Sequence, residues 1–312
     1  MNRRTFTKTL AATAATIGVG GLPALASKPA TQFSITMDDF HWRNAVKQTA
    51  QERNQSILDT LSKHSIAAAA FVIGRNIEDQ EGKDLVAAWD RAGHLIGNHT
   101  YSHRNFNAPE ADLNAYQEDI VRAEALLKEF PRFRKYLRFP MLKEGDTVEK
   151  RDRMRAFMSQ SGYRNGHVTI DNSDWAIDQR LTARLKKDPN ADLKPYRDFY
   201  LEHMWARAEY YDSLAQRVAG RPVKHTILTH FNLLNGLFLN DVIRMLKGKG
   251  WQPIGAEEAF SDSVFLAQPK VVPAGESIIW SIAKEKGTIA KTLRYPAEDS
   301  QYENKRMDKL GL

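Results

Sequence analysis

The 312-residue chain contains no cysteine, and this removes disulfides, thiolate metal ligands and cysteine nucleophiles together. Any metal must be held by nitrogen and oxygen. Long apolar runs are also missing. A mildly apolar stretch from Leu10 to Leu22 is rich in Ala, Thr and Gly, too short and too weak for a permanent span, which needs ~20 strongly apolar residues. Charge of one sign is scarce as well. The formal balance is +7, but the first 26 residues carry Arg3, Arg4 and Lys8 and no acid, so the remainder holds 42 basic against 38 acidic residues, or +4. That excess is small and scattered, and it does not indicate a nucleic-acid partner. Repeats, low-complexity linkers and a second-domain signature are absent. The length suits one large α/β barrel or two ordinary domains.

What the chain does have begins at its N-terminus. Asn2-Arg3-Arg4-Thr5-Phe6-Thr7-Lys8, the apolar stretch and Ala24-Leu25-Ala26 before Ser27 resemble a twin-arginine export signal with a small-x-small cleavage site. With no cysteine after that site, lipid anchoring is excluded. Residues 1–26 therefore read as a signal peptide. The mature chain is expected to use the twin-arginine export machinery, to lack a stable membrane anchor, and to reside in the periplasm or outside a bacterial cell.

Strand and helix patterns then alternate. Gln32 to Met37 alternates polar and apolar residues and ends in Asp38-Asp39; Asn44 to His64 reads as a helix; Ile66 to Gly74 is a continuous apolar run that reads as a strand buried on both faces, a pattern an alanine-rich helix shares. Lys83 to Arg91 is helical, His94 to Gly97 a brief strand, Asp112 to Phe130 an amphipathic helix stopped by Pro131, and Tyr136 to Pro140 a short strand. Val148 to Gln160 is helical, Gly166 to Ile170 a strand, and Thr182 to Ala219 a helix-rich insert. Lys224 to Thr229 is a strand delivering His230, followed by a helix from Gly236 to Lys247 and a strand from Trp251 to Ile254. Such alternation predicts an α/β fold with a parallel sheet, open or closed into a barrel.

In that architecture catalytic groups gather at the C-terminal strand ends, where Asp38, Asp39, His99, His103, Arg138, Asp174 and His230 all fall. His99-Thr100-Tyr101-Ser102-His103 offers two imidazoles four residues apart, able to bind one ion from the same face of a helical turn. Adjacent carboxylates at a strand end are costly without a cationic partner. Taken singly, each feature has a plainer reading: an acidic turn for Asp38-Asp39, a surface ion pair for Arg138, a helix N-cap for Asp174, a core aromatic for Trp175, a buried histidine for His230. Their convergence favours a site. His41 is the one further histidine close enough in sequence to the Asp pair to be a neighbour of it.

The ordered segments Thr36-Met37-Asp38-Asp39, His99 to His103, Arg138-Phe139-Pro140, Asp171-Asn172-Ser173-Asp174-Trp175 and Leu228-Thr229-His230 resemble the five motifs of the NodB-like polysaccharide deacetylases, the fourth carbohydrate esterase family. The resemblance covers about residues 32–260 and implies a distorted (β/α) barrel, with 261–312 as a C-terminal extension packed on it through Ile278 and Trp280. It implies a divalent metal ion, zinc before cobalt, nickel or manganese, on Asp39, His99 and His103. It also implies Asp38 as catalytic base oriented by Arg138, His230 as acid held by Asp174, a backbone N–H from Met141 at the developing oxyanion, and Trp175 and Leu228 as the wall against an acetyl methyl. The expected substrate is an acetylated carbohydrate.

Two departures bear on the substrate. The family usually has glycine after its aspartate pair, where this chain has Phe40, and it usually has an aromatic residue where Met141 stands. Phe40 is expected beside the metal, narrowing the groove or altering its loop, which favours a small sugar, an oligosaccharide or a peptidoglycan fragment over a long polymer. The aromatic residues of the insert, Tyr196, Phe199, Tyr200, Trp205, Tyr210 and Tyr211, could stack on sugars, but their helical spacing favours packing. Beside the N-deacetylase reading stand two others: the same site hydrolysing a non-sugar amide or an O-acetyl ester, and a groove that binds without turnover.

Overall fold

The computed structural model describes residues 30–287, 293 and 300–312; the signal peptide expected at 1–26 lies outside the described residues. In chain order the elements are β1 (Gln32–Asp39), α1 (Ala50–Lys63), β2 (Ala69–Val72), α2 (Gln80–Arg91), β3 (Leu95–Asn98), α3 (Leu113–Leu127), β4 (Phe133–Leu137), β5 (Lys143–Gly145), α4 (Val148–Gln160) and β6 (Arg164–Asn165). There follow α5 (Asp174–Lys187), α6 (Lys194–Ala219), β7 (Lys224–His230), α7 (Leu233–Gly248), β8 (Gln252–Pro253), α8 (Ala256–Ala259), β9 (Ala274–Gly275), α9 (Ile278–Lys286) and α10 (Gln301–Leu310).

The main sheet runs β6-β4-β3-β2-β1-β7, with β8 added beside β1, and its pairings are parallel. It curls into a half-barrel with helices outside it, a distorted (β/α) barrel. The expected strand at Gly166–Ile170 is corrected. Regular pairing stops at Asn165, and the segment that follows pairs with β7 only through a single bridge from Ile170 to Ile227. Side chains supplement the irregular backbone bonds here: Thr169 Oγ1 donates to the Thr226 carbonyl at 3.1 Å and accepts from the Thr226 N–H at 2.9 Å. These bonds draw the segment after β6 toward β7 across the barrel's gap.

The helix expected from Asn44 begins instead at Ala50, because Thr49 and Glu52 form a reciprocal capping box and the Asn44 side chain accepts from the Ala50 N–H at 2.9 Å. That arrangement satisfies first-turn N–H groups that a longer helix would have to satisfy elsewhere. Strand β2 is buried along its whole length, as expected of a parallel strand covered on both faces. Helix α7 supplies Leu234, Leu239, Val242, Ile243 and Leu246 to the core with almost no exposure, each stabilising the fold by about 1.5–3 kcal/mol. In the insert, Tyr196, Phe199, Tyr200 and Tyr211 are buried in that same core, the packing role their spacing favours. Among the described residues no helix is long and apolar enough to cross a membrane. Beyond the barrel, β9 pairs antiparallel with β5 and Ile278 of α9 is buried.

Candidate active site

The site is built outward from one ring. Phe71 on β2 sits where β3 and the segment after β6 carry no side chain: a Cβ at Gly97 or Gly166 would lie 2.6 or 2.5 Å from it. The guanidinium carbon of Arg138 lies 4.2 Å from the ring centroid, so the two glycines make room for the aromatic face that supports a buried cation. Arg138 then directs Nη1 to both Asp38 oxygens at 2.9 and 3.1 Å, Nη2 to Thr36 Oγ1 at 3.1 Å, and Nε to the Gly166 carbonyl. Asp38, at the end of β1, is 2% exposed, so this pairing offsets the cost of burying its charge.

The next residue turns the other way. Asp39 has φ of +84°, and its Oδ1 lies 3.5 Å from His99 Nε2 and 3.4 Å from His103 Nε2. Burial works to raise the Asp39 carboxyl, but the neighbouring His99 imidazole, then the charges of His230 and His103, outweigh it and hold the group well below the ordinary carboxylate range. Burial first, then the neighbouring His99, lowers His103 to about 4, so its imidazole is neutral at physiological pH. His99 donates from Nδ1 to the Arg138 carbonyl at 2.8 Å, the tautomer that leaves the Nε2 lone pair free to ligate a cation beside Asp39.

The helical turn expected under the two histidines is corrected. Thr100 and His103 have φ of +60° and +56°, and residues 99–103 form an irregular loop. Asp119 Oδ2 accepts from the N–H groups of Tyr101 and Ser102 at 3.0 and 2.9 Å, and Asn98 Oδ1 from Thr100 at 2.8 Å. This scaffold brings the rings to 4.9 Å between centroids.

Asp39, His99 and His103 have donor atoms that all lie within 4.8 Å of one another. Separations of 3.4–3.5 Å match the roughly 3.3 Å edges of a tetrahedron with bonds of about 2.0–2.1 Å. Asp39 Oδ1, the oxygen facing both rings, is buried with no hydrogen-bond partner, which is costly unless a cation satisfies it. The three residues fit a divalent ion.

Across the cavity, His230 at the end of β7 engages Asp174 at 2.6 Å through Nδ1. Asp174 opens α5, where the helix dipole favours a carboxylate. Its other oxygen accepts from the His230 N–H and from the side chains of Asn232 and Asn235 at 2.9, 3.1 and 2.6 Å. Burial alone would lower His230, but Asp174, then Asp39 and Asp38, raise it to about 10, so its imidazole is protonated at neutral pH.

These groups surround a cavity of about 570 Å³, lined also by Met141, Trp175 and Leu228. Phe40 is not among its walls, and the expectation for it is corrected. Its ring is 2% exposed, stacked on Phe231 at 5.0 Å and edge-on to Trp89 at 4.8 Å. Apolar burial draws the side chain into the core, while the backbone takes φ of +53°, the left-handed region that glycine enters freely. His41 also does not line the cavity; its ring meets Phe231 edge-on. Five lining residues had no motif to signal them: Asn105, Leu142, Lys143, Gln179 and Glu276. Eight of the ten non-glycine residues with positive φ among the described residues lie in the segments that build the site: Asp39, Phe40, Thr100, His103, Met141, Leu142, Ser173 and Glu276. Such conformations cost roughly 1–3 kcal/mol each and collect where geometry serves a ligand.

Residues 26–165 match the family model for polysaccharide deacetylase. Over these residues the chain is similar to the polysaccharide deacetylases. The family match holds Asp38, Asp39, His99, His103 and Arg138 and stops before Asp174 and His230. A peptidoglycan-N-acetylglucosamine deacetylase of Bacillus cereus is 29% identical over 125 residues, 40% of this chain and 42% of that protein. A chitooligosaccharide deacetylase of Rhizobium leguminosarum bv. trifolii is 30% identical over 122 residues, 38% of this chain and 52% of that one. The chain thus matches about half the length of these curated relatives. Among solved structures, the wild-type form of a Bacillus anthracis pseudoenzyme of this family superposes with a TM-score of 0.52 at 16% identity, over 75% of this chain and 66% of that one. A mutant of a Bacillus subtilis peptidoglycan deacetylase gives 0.50 at 18%, over 74% and 92%. These two share the deacetylase fold.

Proposed function

We propose that this chain is a divalent-metal-dependent hydrolase that removes acetyl groups from N-acetylated sugars of a polysaccharide, an oligosaccharide or a peptidoglycan fragment. One observation carries the reading: the Asp39, His99 and His103 triad, the Arg138-held Asp38 and the Asp174-held His230 all line one cavity. The named activities of the curated relatives agree with it.

The metal, zinc first, would be held by Asp39, His99 and His103. When bound, it supplies Lewis-acid chemistry, lowering the pKa of a water and polarising the acetyl carbonyl. Asp38, held in place by Arg138, accepts the proton of the attacking water. The Met141 N–H faces the carbonyl oxygen as that atom gains charge. His230, protonated at neutral pH, gives a proton from Nε2 to the departing sugar amine, because Nδ1 is committed to Asp174. Trp175 and Leu228 enclose the acetyl methyl.

A pseudoenzyme shares this fold, so the fold by itself does not carry activity. The test is an acetate-release screen on N-acetylated and O-acetylated sugars, run on metal-stripped chain and again after one equivalent of zinc is restored. Zinc-dependent release from N-acetylated oligosaccharides is expected. Release from O-acetyl sugars alone would move the assignment to an esterase, and stoichiometric metal with no acetate or amine released would leave a binding protein. We further propose that residues 1–26 direct export through the twin-arginine route to the periplasm or beyond, on the strength of the Arg3-Arg4 pattern.

A further inference from the structure

The cavity has one wall that comes from far along the chain. Glu276 lies about 100 residues after Asp174 in sequence, yet it lines the same cavity as Asp38, His99 and His230. It is brought there by the short antiparallel pairing of β9 with β5, and its N–H donates to the Leu142 carbonyl at 2.8 Å. The approach is close enough that a Cβ on Gly275 would lie 1.8 Å from that carbonyl oxygen, and Gly275 has φ of +117°. The next residue has φ of +64°, a conformation suited to a second glycine, yet it is a glutamate. Its Oε1 pairs with the Lys143 ammonium, another wall of the cavity. Its Oε2 is buried and has no hydrogen-bond partner. A half-satisfied, largely buried carboxylate beside this cavity is costly unless something completes it.

We propose that Lys143 and Glu276 form a specificity clamp for an uncharged, hydroxyl-bearing part of the substrate. Glu276 accepts a hydrogen bond from a sugar hydroxyl, and Lys143 donates to a neighbouring oxygen. Because Glu276 offsets the Lys143 charge, the clamp holds neutral sugars and disfavours sugars that present a carboxylate at that position. A lone lysine there would do the reverse. The chemistry of the ligand rests on the deacetylase reading, whereas the charge selectivity can be read by binding alone.

The experiment uses the full chain with Asp38→Asn, loaded with zinc, so that ligands bind without turnover. Two matched ligands are titrated by calorimetry: a neutral N-acetylglucosamine tetramer, and the same tetramer oxidised at its primary hydroxyls to carboxylates. Adding Glu276→Gln is expected to weaken the neutral ligand about tenfold, the worth of a hydrogen bond to a charged group, and to tighten the oxidised one by a similar factor. Glu276→Gly, which suits the backbone better, is expected to reverse the preference in the same way. A purely structural role for Glu276 would weaken both ligands together, and parallel losses, no change, or no binding of either ligand would overturn the clamp. Acetate release by the unaltered chain is measured alongside. A selectivity switch without any such release would retain the clamp and sink the deacetylase reading.

Discussion

Replacing Arg138 by Met tests how the site keeps a charged base in its interior. Asp38 and Arg138 are 2% and 0% exposed, with Nη1 at 2.9 and 3.1 Å from the two carboxylate oxygens. Methionine fills much of the stem's volume but leaves Asp38 with only a 3.7 Å approach to His99 Nε2. Breaking a buried pair from one side costs about 3–5 kcal/mol. Asp38→Asn alone strands the cation instead, although Thr36 and the Gly166 carbonyl still accept from it, so a smaller loss of about 2–3 kcal/mol is expected. The double variant has no buried charge to strand and should lose less than the two singles together, by about 2–3 kcal/mol. Urea unfolding in chelator, with all four proteins free of metal, reads this coupling without metal linkage. Losses that add to within about 0.5 kcal/mol would refute the idea that Arg138 exists to hold the Asp38 charge.

Other consequences are equally open to measurement. Asp174→Asn removes the main group raising His230 to about 10. The alkaline limb of kcat should therefore move down by at least about 2 pH units, and an unmoved limb would remove His230 from the acid role. The same raised pKa stabilises the fold fully below about 6.5 and is lost as pH rises through about 10, so part of the stability of the unaltered protein should disappear over that window, as followed by urea midpoints. Phe40→Gly opens a core cavity worth about 3–5 kcal/mol and relieves about 1 kcal/mol of backbone strain; urea unfolding should show the difference, with the preference among acetylated substrates unchanged. Asp178, mainly through burial, is raised to about 6, so it costs stability as pH rises from about 4 to 6. Asp178→Asn should gain about 1–2 kcal/mol at pH 7 and nothing at pH 4, and equal effects at both pH values would contradict the shift.

Much of the barrel was legible because buried parallel strands announce themselves as short apolar runs between amphipathic helices, as Ala69–Val72 does. Residues 166–170 were misread as a strand because Thr169 bonds through its side chain, something a hydrophobic pattern does not record. The chemical groups were legible through order and spacing, but their support was not. Spacing suggested a helical turn under His99 and His103, whereas Asp119, sixteen residues beyond His103, holds that loop through backbone N–H groups. A missing glycine at Phe40 suggested an obstructed groove, yet the energy of burying an aromatic ring exceeded the cost of a left-handed backbone. Glu276 had no local signal at all, since only the β5–β9 pairing brings it to the cavity.

The most direct test of the central claim is zinc content and acetate release measured on the same preparations of Asp38→Asn and His99→Ala. If Asp39, His99 and His103 hold the ion while Asp38 moves the proton, Asp38→Asn keeps about one zinc per chain and loses turnover by 10²–10⁴-fold, on the order expected for a general base. His99→Ala loses both. Retention of stoichiometric zinc by His99→Ala, or unaltered turnover by Asp38→Asn, would contradict the assignment.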